Sequence, residues 1–140
     1  MSRIFLAGAS GVIGRRLTPL LLAHGHSVWG ATRSPDNREF LRKLGARPVV
    51  VDVFDAEALA TAVLEAKPET VIHQLTDLSR IHDPTKRSDA LARNARIRDE
   101  GTRNLVAAAR KAGARRLIAQ SIAWAYAPGP RPYREDDPLA

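Results

Sequence analysis

Residues 5 to 17 read FLAGASGVIGRRL and set Gly8, Gly11 and Gly14 at intervals of three. Glycines at that density strip side chains from a stretch of backbone, and what bare backbone offers a ligand is its N–H groups. The apolar run RIFLAG precedes them, and Val12, Ile13, Leu17, Leu20 and Leu21 recur at helical spacing. A tight turn from strand into helix aims the unpaired amides and the positive end of the helix dipole at one point, which favours an anion. In such a turn Gly8 permits the bend, Gly11 lets the pyrophosphate of a dinucleotide approach the backbone, and Gly14 lets the helix sit close to the sheet. The first interval is one residue longer than in the Gly-x-Gly-x-x-Gly fingerprint, so the motif draws its meaning from its place between a strand and a helix.

A second readable position is the end of the next strand. In a dinucleotide fold it meets the adenosine ribose, where an acid selects a free 2′-hydroxyl and an arginine accommodates a 2′-phosphate. Residues 15 to 35 contain no Asp or Glu, and the segment ATRS presents Arg33. NADP is therefore expected over NAD. Asp36 lies close enough to neutralise Arg33, and Arg38 close enough to assist it.

The elements that must hold these residues follow from periodicity. HSVWGATR, RPVVVDVFD, ETVIHQLT and RRLIAQS read as further strands. PDNREFLRKLG, AEALATAVLEAK and one long segment from about 88 to 112 read as helices. Strands separated by single helices imply right-handed parallel crossovers, hence an α/β fold with helices on both faces of the sheet. The segment DLSRIHDPTKRSD reads as an exposed loop. The stretch APGPRPYREDDPLA, with four prolines, is left without regular structure.

Composition sets the limits. A chain of 140 residues is one ordinary domain, 44% hydrophobic and 26% charged. The absence of cysteine excludes disulfides, thiolate metal sites and a cysteine nucleophile. His24, His26, His73 and His82 show no metal-ligand spacing, so no metal is expected. No apolar run approaches the roughly 18 residues of a membrane span and no secretory leader is recognisable, so a cytoplasmic protein without membrane contact is expected. The net charge of +7 resides in residues 80 to 116, where 11 Lys or Arg face 4 Asp or Glu. Arg96, Arg103 and Arg110 form one helical stripe there; with no aromatic residue interleaved it reads as a solvated face, not a nucleic-acid surface.

Taken in order, GASGVIG, VVVDVFD, VIHQLT and EGTRNLVAAARKAGARRLIAQS resemble the cofactor loop, third-strand Asp segment, fourth strand, and long helix with fifth strand of the extended short-chain dehydrogenase/reductase family, which includes nucleotide-sugar epimerases and dehydratases. The resemblance extends from residue 3 to about residue 138. It implies a Rossmann-type doubly wound parallel sheet of about five strands, with an NAD(P)-binding domain at 1–122 and an irregular tail at 123–140 leading toward a catalytic and substrate part. It assigns Gly8, Ser10, Gly11, Val12, Ile13 and Gly14 to the cofactor loop and Arg33 to the adenosine ribose. Asp52 and Val53 would meet the adenine edge, Asp52 accepting from the exocyclic amine; the alternative for Asp52 is a cap on the next helix. Leu75 and Thr76 occupy positions facing the nicotinamide half, where the family has smaller residues. Three residues before Gly101 the family has asparagine, and this chain has Arg98, with Asn94 one turn earlier. His73 reads as a packed core histidine.

The family transfers hydride with a tyrosine backed by a lysine four residues on, plus a Ser or Thr after the fifth strand that orients the substrate oxygen. Ser121 falls at the latter position, beside Ile122 where a second hydroxyl is often found. Tyr126 is followed by Pro130 and Tyr133 by Asp137, so the tyrosine–lysine pair is missing. In the family that pair comes after the segment like EDDPL, and the chain is accordingly expected to be the N-terminal part of a longer oxidoreductase or epimerase/dehydratase acting on a small molecule. Its fifth strand would then be an uncovered edge inviting self-association. The alternative reading is a non-catalytic module that senses NADP.

Overall fold

The computed structural model describes residues 1–122 and 125–140; positions 123 and 124, where the expected tail begins, lie outside the described residues. Five strands, β1 (Arg3–Ala7), β2 (Ser27–Thr32), β3 (Arg47–Val50), β4 (Thr70–His73) and β5 (Arg116–Ala119), form one sheet in the order β3-β2-β1-β4-β5. Every pairing is parallel, with Phe5 beside Trp29 on one flank and Val71 on the other. The helices are α1 (Gly14–Ala23), α2 (Arg38–Lys43), α3 (Ala56–Ala66), α4 (Arg87–Arg96) and α5 (Thr102–Lys111). The chain winds outward from β1 to β3, then returns through α3 to place β4 on the other side of β1. Strand order reverses at β1, and the loops leaving β1 and β4 part there to open a crevice.

The run RIFLA forms a strand buried on both faces because its side chains alternate between two cores. Phe5 and Ala7 pack with Leu59, Val63, Val71 and Leu105 under α3 and α5. Ile4 and Leu6 pack with Val28, Leu41 and Ile72 under α1 and α2. The expected doubly wound sheet is present.

Boundaries differ from the periodicity in ways that shape the crevice. Helix α1 begins at Gly14, so Val12 and Ile13 lie in the preceding turn, with Val12 81% exposed, and Leu20 points to solvent. The packed face of α1 is Thr18 with Leu17, Leu21 and Leu22, and the Thr18 hydroxyl donates to the Gly14 carbonyl at 2.8 Å. The expected single helix over 88 to 112 is two α-helices joined by a π turn at Ile97–Gly101, a wider turn of a kind frequent at functional sites. Asn104 on α5 donates to the Val53 carbonyl at 2.9 Å and pins this helical arm to the loop after β3. Strands β3, β4 and β5 stop before their apolar runs do, leaving 51 to 53, 74 to 76 and 120 to 121 as loops at one edge of the sheet.

Strand β5 lies at the sheet's edge with Ile118 and Ala119 exposed. Beyond it, residues 125 to 140 fold back on themselves through an isolated antiparallel bridge between Tyr126 and Leu139, with the Tyr126 and Tyr133 rings stacked 5.2 Å apart. Among the described residues no helix is long and apolar enough to cross a membrane.

Candidate functional site

The five loops at the carboxyl edge of the sheet enclose a cleft of about 900 Å³. Gly8, Ser10, Gly11, Val12, Ile13, Arg33, Asp52, Val53, Leu75, Thr76 and Ser121 all line it. Gly14 does not; it sits beneath the loop as a packing residue. A Cβ on Gly14 would lie 2.2 Å from the Gly8 carbonyl oxygen and 2.6 Å from Ala9 Cα. Gly8 has φ +86°, and a Cβ there would lie 2.8 Å from the Gln74 carbonyl group. Folding therefore demands glycine at both positions. Gly11 is different: its φ is not in the left-handed region, and a Cβ would meet one atom, the Gly8 carbonyl oxygen, at 3.2 Å. Packing within the chain makes a weak demand for glycine there, and the position opens onto the cleft.

The same loop is electrostatically unfinished. The N–H groups of Ser10, Val12, Ile13 and Gly14 meet no acceptor among the described residues. Ile13 stands at the N-cap of α1 without a side-chain cap, and the first turn contains no acid but includes Arg15 and Arg16. Helix α3 shows the ordinary solution, with the Asp55 carboxylate accepting from Ala58 N–H at 3.0 Å. At α1, free amides and the positive end of the helix dipole meet at the cleft, an arrangement suited to an anion, while Arg15 is turned to the Ser10 carbonyl and the Phe40 ring and lies outside the cleft lining.

At the end of β2 a hydroxyl and amide cluster braces the cleft wall. Asn37 donates to Ser10 Oγ at 3.3 Å and to Thr32 Oγ1 at 3.1 Å, and Ser10 Oγ lies 3.1 Å from Thr32 Oγ1. Arg33 is exposed beside this cluster and has no carboxylate within ion-pairing distance among the described residues; Asp36 does not neutralise it. Arg38 lies outside the cleft lining.

At the end of β3 the alternative assignment of Asp52 as a helix cap is corrected. Its Oδ1 accepts from Phe54 N–H at 3.0 Å, closing a local turn, while Asp55 caps α3. The reason is spacing, since the N2 or N3 amide of α3 is within reach of Asp55 and not of Asp52. Phe54, also in the cleft wall, lies under the Arg96 guanidinium at 3.9 Å. Arg96 in turn grips Glu100 with two bonds of 2.6 and 3.1 Å, which hold the Glu100 carboxyl below the usual carboxylate range.

The far end of the cleft is formed by Leu75, Thr76, Arg98, Ser121 and Ile122. His73 beneath them is buried, accepting from Leu75 N–H at Nδ1 and facing Thr102 Oγ1 from Nε2 at 3.1 Å. Burial, with the Arg98 charge adding to it, holds the imidazole below its ordinary value. A histidine packed into the core is what the sequence led us to expect. Asn94 accepts from Asp77 N–H at 3.2 Å, and Arg98 donates to the Gln120 carbonyl at 3.2 Å, so the two residues tie down different loops. Sequence reasoning passed over Asn37, Phe54 and Gln74 in the wall; the Asn in SPDN was the one available signal, at a turn. Among the described residues no cluster of His, Cys, Asp or Glu is suited to a metal ion.

Comparison with known proteins gives a consistent picture. The model of the NAD dependent epimerase/dehydratase family matches residues 4–140. The chain is 49% identical over 142 residues to a 3-diazoavenalumate denitrifying reductase of a Streptomyces species, spanning 98% of this chain and 43% of that protein. It is 32% identical over 118 residues to a 3-beta-hydroxysteroid dehydrogenase of Mycolicibacterium neoaurum, spanning 84% and 31%. Among solved structures, the Bordetella bronchiseptica enzyme WbmG in complex with NAD and UDP superposes with a TM-score of 0.78 at 28% identity, covering 99% of this chain and 44% of that one. The chain thus spans less than half the length of each of these relatives.

Proposed function

Because the chain belongs to the NAD dependent epimerase/dehydratase family, we propose that its cleft holds a nicotinamide dinucleotide, NADP in preference to NAD, in the service of a reductase. One observation carries this reading: the amides of Ser10, Val12, Ile13 and Gly14, without acceptors among the described residues, flank Gly11, the loop glycine that the fold itself requires least. A pyrophosphate supplies the missing acceptors and explains the missing side chain.

The remaining roles follow from position. Arg33, exposed and without an acidic partner among the described residues, supports a 2′-phosphate contact. Asp52 and Val53 border the adenine end, with Phe54 as an apolar wall stiffened by Arg96. Leu75 and Thr76 border the nicotinamide end. The bound nicotinamide supplies a hydride donor or acceptor at that end. Ser121 lines the cleft beyond β5, which supports a role in hydrogen-bonding a substrate oxygen, and Leu75 with Ile122 supplies apolar surface that would exclude water from the reacting face. His73 is unsuited to proton delivery because both ring nitrogens are engaged. The reductase reading is favoured over sugar epimerisation by the 49% identity to the Streptomyces protein, which is named a 3-diazoavenalumate denitrifying reductase.

Calorimetric titration of the chain with NADPH and NADH tests the reading. Saturable binding with NADPH at least tenfold tighter is expected. Absence of heat with both nucleotides on folded protein would refute the cofactor assignment, and equal affinities would refute the NADP preference.

A further inference from the structure

Behind the cleft, between the ends of β4 and β5 and the π turn, lies a smaller chamber of about 250 Å³ bordered by His73, Gln74, Thr76, Arg98, Thr102 and Ser121. Its charge balance is one-sided. Arg98 uses Nη1 on the Gln120 carbonyl, Nη2 meets no acceptor among the described residues, and Nε, buried without an acceptor, is out of reach of a bound ligand. The two acids that follow it are held elsewhere, Asp99 by Arg103 at 2.7 Å and Glu100 by Arg96 at 2.6 Å. No carboxylate lies within ion-pairing distance of Arg98 among the described residues. Thr102 Oγ1 takes its hydrogen bond from His73, leaving its own proton without an acceptor among the described residues. A chamber walled by one guanidinium and spare donors is built for an anionic acceptor.

We propose that this chamber binds a carboxylate of the substrate, gripped by Arg98 with the Thr102 hydroxyl as second donor. The proposal rests on reading the adjoining cleft as a reductase site, because it is the neighbourhood of Thr76 and Ser121 that makes the anion part of a substrate. The π turn supports it independently. A regular helix through 97 to 101 would rotate Arg98 to another bearing, and the wider turn sets it at the border of both cavities. The chamber admits a carboxylate and a few carbons; the bulk of a larger substrate would remain in the cleft.

The test titrates the full chain, with and without saturating NADPH, with benzoate and with its neutral analogue benzamide, following the His73 ring resonances by NMR. Saturable shifts with benzoate at least tenfold tighter than with benzamide are expected. Arg98→Gln should abolish the benzoate response with its circular dichroism unchanged, and Arg98→Lys should retain part of it. Equal response to benzoate and benzamide, no response to benzoate, or full benzoate binding by Arg98→Gln would overturn the proposal. Should Arg98→Gln fail to fold, the benzoate to benzamide ratio in the wild-type chain still decides. Benzoate binding without NADPH binding would refute the cofactor reading and leave the anion chamber standing; NADPH binding without benzoate binding would do the reverse.

Discussion

Replacing Gly14 with alanine would put a Cβ 2.2 Å from the Gly8 carbonyl oxygen, about 1.2 Å inside the 3.4 Å at which ordinary contact begins, with Ala9 backbone at 2.6 and 2.7 Å behind it. All three neighbours are main chain of a loop held by β1, so neither a rotamer change nor a small shift relieves the clash. The cost belongs at the upper end of the overpacking range, about 3 kcal/mol, which for a chain of this length lowers Tm by roughly 10 °C. Gly11→Ala meets one atom at 3.2 Å, needs no left-handed φ, and should alter stability by less than about 1 kcal/mol. Its methyl group would instead occupy the approach to the unpaired amides and weaken NADPH binding by roughly 10- to 100-fold, or about 1.4 to 2.8 kcal/mol. Urea unfolding and NADPH calorimetry on both variants separate the effects. Wild-type NADPH affinity in Gly11→Ala, or wild-type stability in Gly14→Ala, would refute this division between a glycine kept for ligand and one kept for packing.

Arg33→Ser should weaken NADPH by at least about tenfold, the loss of one charge-assisted contact, while changing NADH affinity by less than about threefold; equal losses for the two nucleotides would count against a 2′-phosphate contact. His73 has a folded-state pKa below its unfolded value, so the unfolded chain binds more protons and stability should fall as pH drops below about 6.5. His73→Gln should flatten that slope in urea unfolding at pH 7, 6 and 5. Removing the α3 cap with Asp55→Ala should cost about 1 kcal/mol in the same assay, and a neutral result would mean that Ala58 N–H finds another acceptor.

Apolar period recovered the layers of this molecule because period records burial. RIFLA had to be doubly buried, and AEALATAVLEAK had to lay Leu59 and Val63 on the sheet. Period is blind to what joins distant segments. A π turn shifts the backbone without disturbing the apolar spacing around Ile97, so 88 to 112 read as one helix. Val12, Ile13 and Leu20 match a helical stripe by type, yet the helix begins only where Gly14 can press on Gly8, and that clash is tertiary. Asn37 acquires its place by bonding Ser10, 27 residues earlier, and Phe54 by lying under a guanidinium from α4. For Asp52 and Asp55, one turn apart in the same loop, composition held no means of choosing the cap. The glycine loop was legible because its constraint is local: strand, bend and helix are contiguous.

The glycine loop grows from β1, the central strand, which is paired on both flanks and shared by both hydrophobic cores. Its amides should accordingly be among the last to exchange with deuterium, while β3 and β5, each paired on one side, open first. Fraying at either margin of the sheet would then leave the glycine loop in place, so anion binding there should outlast partial unfolding while the cleft walls at 51 to 54 and 120 to 122, built on those outer strands, come and go.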